Sequence, residues 1–149
     1  MSKSTGNFLT LRETIDKYGV DASRITLCDA GDSLDDANFS DETANAAILK
    51  LFNLDAWICK WVEHCVPKDK AGPNFADDHS EDYDIWDKIF ENQVKHCIQL
   101  TEHGYRRFQY RLITKHAFNE LLSLKESYLI GKNNKPNPCV LLDFMVTFL

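Results

Sequence analysis

The feature that most constrains the fold is a set of apolar positions recurring at steps of three and four over three long segments. From about Ser40 to Cys65, Ala44, Ala47, Ile48, Leu51, Ile58, Trp61, Val62 and Cys65 share one face of a helix. From about Asp84 to His103, Trp86, Phe90, Val94 and Cys97 form a second inner stripe. From about Arg107 to Ile130, Tyr110, Ile113, Ala117, Leu121, Leu124 and Tyr128 form a third. Such stripes must bury against one another, and no alternating strand pattern precedes residue 139. The expected fold is all-α, an antiparallel helical bundle.

Local signals divide the chain further. Thr10 and Glu13 have the spacing of a capping box, opening a short helix over 10–17 that Gly19 can stop. Asp21 can cap a second short helix over 22–29, ending at Gly31. Six acids lie between Asp29 and Glu42 with no base among them, an acidic loop leading into the first long helix. Pro67, Gly72 and Pro73 end that helix, and Pro67 to Asp84 reads as a surface connection. Gly104 is the expected break or kink between the second and third long helices. The expected organisation is 1–39, a loop with two short helices, followed by a bundle over 40–149.

Composition supports a single folded unit. The 149 residues are 44% hydrophobic, and a chain of that length can bury about 70% of its unfolded surface. Aromatic residues make up 11%, too many for a solvated disordered chain. No apolar run approaches the ~20 residues that span a bilayer, and the opening MSKSTGNF has no signal-peptide core. Five cysteines without a CxxC spacing suit reduced thiols better than a disulfide framework. Val140 to Leu149 is almost wholly apolar, which reads either as a docked helix or as a cut through a longer one, the latter favoured. A cut bundle would leave apolar faces unpaired, so self-association is a further expectation.

The first seven residues, Met1-Ser2-Lys3-Ser4-Thr5-Gly6-Asn7, can present an ammonium, hydroxyls and backbone N–H groups to a phosphate. They are not a Walker A loop, whose upstream glycines are missing, and by composition alone they describe a plain tail better than a phosphate site. MSKSTGNF, with Tyr18-Gly19-Val20-Asp21-Ala22, Arg24 and Asp35-Asp36-Ala37-Asn38-Phe39 behind it, resembles the leucyl-tRNA synthetases of the cytosolic eukaryotic and archaeal type. Residues 1–4 look like the last four of the class I signature Lys-Met-Ser-Lys-Ser. The likeness is strong to about residue 54 and looser through the helices at 84–130.

The resemblance implies a fragment running from the signature loop into the helical anticodon-binding domain. Lys3 would stabilise charge developing on the ATP phosphates as the leucine carboxylate attacks, with Ser2 and Ser4 shaping the ATP-binding loop. The intact enzyme would use ATP with Mg2+ and join leucine to its tRNA through leucyl-adenylate, in the cytoplasm. The first signature lysine, the HIGH-type signature, the dinucleotide-fold strands and the editing domain are not in this sequence, so these residues alone are expected to be inactive. The alternative is a freestanding helical module binding RNA or a protein without catalysis.

RNA contact has one independent signal. Arg106, Arg107, Arg111 and Lys115 face a single acid, Glu102, between residues 102 and 116. Arg107, Arg111 and Lys115 are four apart, so they are expected to line one stripe of the third long helix. That stripe is either a phosphate-contacting face or an ordinary solvated one. The net charge of -6 opposes general nucleic-acid affinity but leaves room for one basic face. Other candidates are weaker. The acids from Asp29 to Glu42 lack calcium-loop spacing. His64-Cys65 and His96-Cys97 would have to converge to hold zinc. Trp57 and Trp61, one turn apart, suit packing better than base stacking, and no metal site is expected.

Overall fold

The computed structural model describes residues 9–31, 38–65 and 83–148, and among them every regular element is helical. The signature-like opening, most of the acidic loop and the 66–82 connection lie outside the described residues.

α1 (Leu11–Tyr18) opens with the expected capping box. The Glu13 amide donates to Thr10 Oγ1 at 3.3 Å, and the Thr10 amide donates to the Glu13 carboxylate at 2.8 Å. Gly19, at φ 80°, ends α1 and begins α2 (Val20–Ala30) in one residue, a backbone setting that glycine adopts without penalty. Asp21 therefore lies inside the first turn of α2 and is not its cap.

α3 (Asp41–Cys65) is shared between two cores. Near its start, Ala44 and Ala47 pack on Tyr18 of α1 and Ala22 of α2, where small side chains let the helices approach closely. Near its end, Trp57, Ile58 and Trp61 cover the larger core. The helix and most of its inner face are as expected, with Ala44, Ala47, Leu51, Ile58 and Trp61 buried or half-buried; the stripe differs at its edges, where Leu54 is buried and Ile48 and Val62 are exposed.

α4 (Ile85–Arg106) starts at a second capping box, in which Asp84 Oδ1 accepts from the amides of Trp86 and Asp87. Phe90, Val94 and Cys97 are buried as expected. Trp86 is not; Asp87 takes the inner position, and the Trp86 ring lies over Gly131 instead. Gly104 does not break the helix. It stays helical and buried because Ile113 packs on it so closely that an added Cβ would sit 3.0 Å from Ile113 Cγ1.

The expected helix from 107 to 130 is divided. α5 (Tyr110–Thr114) runs into a π-helical segment, Lys115–Glu120, and then into α6 (Leu121–Gly131). The wider π turn rotates the side chains out of α register. Ile113, Leu121 and Tyr128 are buried while Tyr110, first in the expected stripe, is exposed. α7 (Pro138–Phe148) brings the apolar tail into the core, burying Val140, Leu141, Phe144 and Met145. Phe90 stacks on Tyr128 with centroids 4.3 Å apart, and Phe144 meets both Phe90 and Trp57. The Trp57–Trp61 pair is packing, as expected.

Candidate nucleic-acid interface

α4 ends in a tight reversal. Arg107 is its C-terminal cap, the Phe108 amide donates to the Tyr105 carbonyl and the Gln109 amide donates to the Gly104 carbonyl, both reaching back into the last turn. This is the Schellman arrangement, and it requires a left-handed residue where glycine is usual. Here that residue is Phe108, at φ 57°. A bulky side chain in this conformation costs about 1–2 kcal/mol. The same closure ends α6, but there the left-handed residue is Asn133, a type that tolerates it.

The reversal decides where the four predicted basic residues stand. Arg106 is on the last turn of α4 and pairs with Glu102 at 2.6 Å. Arg107 sits in the turn itself. Arg111 is on α5, and Lys115 opens the π segment, 3.7 Å from Glu120. The expected single stripe is thus corrected: Arg107 belongs to the end of one helix and Arg111 and Lys115 to the next. Arg111 and Lys115 do come together, lining an open groove of ≈ 500 Å³ with Gln109, Leu112, Asn119 and Asp29 of α2. Arg106 and Arg107 stand at the corner outside it.

Aromatic side chains interleave with these bases. Tyr105, Phe108 and Tyr110 are all exposed, Phe108 by 74%. The stripe argument missed them because it assigned Tyr110 to the core and placed the break at Gly104. The alternation in Tyr105-Arg106-Arg107-Phe108-Gln109-Tyr110-Arg111 was the available signal.

Behind the groove the polar groups are structural. The Glu120 carboxylate is hydrogen-bonded with His116 Nδ1 at 2.5 Å and accepts from Cys97 Sγ at 3.8 Å. Partial burial acts to raise the Glu120 carboxyl, but His116 and Lys115 outweigh it and hold the group below the ordinary carboxylate range. Burial, aided by Glu120, pushes the Cys97 thiol up, so it is poorly suited to act as a nucleophile. Cys139 is likewise raised by burial and by Asp143. Among the described residues no three His, Cys, Asp or Glu side chains converge on a metal-sized site, so no residue here is assigned to Mg2+. Ser2, Lys3 and Ser4 lie outside the described residues.

No protein-family model matches the chain. Individual proteins do. The chain is 38% identical over 128 residues to the cytoplasmic leucine–tRNA ligase of Saccharomyces cerevisiae, a match covering 86% of this chain and 11% of that protein. It is 39% identical over 131 residues to the cytoplasmic enzyme of Arabidopsis thaliana, covering 88% and 11%. It is 33% identical over 145 residues to that of Dictyostelium discoideum, covering 97% and 13%. The chain therefore spans about a tenth of the length of the curated relatives it matches, and along most of its own length it is similar to one segment of them.

Proposed function

We propose that this chain does the work of the corresponding segment of a cytoplasmic leucyl-tRNA synthetase: it contacts ATP through its opening loop and tRNA through its helices. The observation that carries this reading is the identity of 38% over 128 residues, which includes nearly the whole chain rather than an isolated motif. In the intact enzyme the leucine carboxylate attacks the α-phosphate of ATP, giving leucyl-adenylate and pyrophosphate, and leucine then passes to the tRNA. Residues 1–39 supply the loop and the short stem-contact helices, and residues 40–149 supply the tRNA-binding bundle.

Each group has a distinct task. Lys3 holds a positive charge against the phosphates as negative charge builds there, which lowers the barrier without a covalent intermediate. Ser2 and Ser4 shape the loop and donate hydrogen bonds to ATP. Arg106, Arg107, Arg111 and Lys115 meet tRNA phosphates, which orients the nucleic acid without reading its sequence. Mg2+ neutralises ATP in the intact enzyme, and none of the residues described above is given a part in holding it.

The test is ATP–pyrophosphate exchange in the enzyme that carries this segment. Lys3→Ala is expected to lower the exchange rate by about 10²-fold or more while leaving the KM for leucine within a few-fold, because the lysine acts on the transition state. Equal loss in rate and leucine affinity contradicts that role. Exchange by these 149 residues alone contradicts the reading as a segment.

A further inference from the structure

The α4–α5 corner holds an aromatic ring out in solvent on a backbone that disfavours it. Phe108 occupies the left-handed position of the turn at φ 57°, and its side chain is 74% exposed, so burial returns nothing for the strain. Glycine or asparagine would close the same turn more easily, as Asn133 does at the end of α6. In sequence Phe108 lies between Arg107 and the groove residues Arg111 and Lys115, with Tyr105 and Tyr110 exposed on either side of it. An exposed planar apolar face in a stretch that also carries Arg106, Arg107 and Arg111 suits one chemistry in particular: a nucleotide whose base is unstacked and whose phosphates lie alongside.

We propose that Phe108 is a base-stacking residue, and that this corner takes an unpaired nucleotide of an RNA, with Arg107 on its phosphate. The inference rests on the tRNA-binding reading and sharpens it, because phosphate contact alone would serve paired and unpaired RNA alike. It also separates two jobs within one short stretch. The basic side chains supply attraction that weakens with salt, and the ring supplies contact that does not.

The experiment uses the full chain with three probes: a tRNA(Leu) transcript, a single-stranded RNA 12-mer, and the blunt duplex of the same sequence. Phe108→Gly is expected to leave the thermal midpoint unchanged or higher, since it relieves the turn. It should weaken single-stranded and tRNA binding about tenfold, with an unaltered salt slope and unaltered duplex binding. Phe108→Trp should keep wild-type affinity, and the emission it adds over wild type should be quenched by the single strand and not by the duplex. The proposal is overturned if Phe108→Gly binds all probes as wild type does, or loses single strand and duplex equally. It is also overturned if the emission added by Phe108→Trp ignores RNA, as that of a protein-docking ring would. Binding of tRNA by wild type with no effect at Phe108 removes this inference alone. Absence of any tRNA binding by wild type removes the tRNA-binding reading beneath it.

Discussion

Asp87 is the least expected residue of the core, a carboxylate 1% exposed. Burying it is tolerable only because each oxygen is answered. Tyr128 Oη donates to Oδ1 at 2.5 Å, while Oδ2 accepts from the Asp84 amide at 3.0 Å and from Lys132 Nζ at 3.2 Å. Tyr128 Oη also accepts from the Asn137 amide at 3.0 Å, so one hydroxyl joins α4, α6 and the entry to α7. Tyr128→Phe keeps the ring stacked on Phe90 but leaves a buried carboxylate oxygen and a backbone N–H without this partner. Urea denaturation should show a loss of about 1–3 kcal/mol, and a loss under about 0.5 kcal/mol would mean the hydroxyl contributes little. Apolar periodicity placed Tyr128 in the core correctly. It could not find Asp87, because a stripe of hydrophobic residues carries no mark for a polar residue held inside by hydrogen bonds. The only sequence trace was the Asp84–Asp87 spacing of a capping box.

At the scale of the element, helix ends proved harder to read than helix faces. The box at Thr10 and the stop at Gly19 were legible, since each needs only neighbours in sequence. Gly104 was not: whether a glycine breaks a helix or admits a neighbour depends on Ile113, which sequence alone does not bring to its side. The π segment, which packs against α4, was not legible either, as no residue type in Lys115–Glu120 marks a π turn. The start of α4 offers a test. Asp84 caps the helix and pairs with Lys132 at 2.6 Å, tying the start of α4 to the end of α6. Its carboxyl is held down at about 2, first by the Lys132 hydrogen bond and then by the Asp87 amide. Because the folded value lies below the unfolded one, the stability it contributes is present above the ordinary carboxylate value and is lost as pH falls towards about 2. Asp84→Asn should therefore be less stable than wild type at about pH 6, and the gap should narrow as pH drops below about 4. A gap independent of pH would assign the effect to capping geometry alone.

Over the whole molecule, α3 runs along two cores, so the α1–α2 hairpin and the α4–α6–α7 cluster are held on one long helix. The all-α class followed from periodicity because three stripes of that length leave no other way to bury them. The apolar tail forms α7, whose Leu141 and Phe144 fill the space beside Phe90 and Trp57. The basic site was half legible. Charge clustering singled out Arg106, Arg107, Arg111 and Lys115, but their three-dimensional arrangement turned on the reversal at Phe108, which sets Arg107 on one helix end and Arg111 and Lys115 beyond it. An acidic chain that binds tRNA must do so through such a local face, with acids elsewhere keeping binding from spreading. The most direct measurement is the affinity of the full chain for tRNA(Leu) across a salt series, with wild type beside the double charge reversal Arg107→Glu and Arg111→Glu. The account predicts weaker binding by the variant at every salt concentration, and a log–log salt slope shallower by about two. Equal affinity and an equal slope would make these side chains an ordinary solvated surface and contradict the tRNA-binding role.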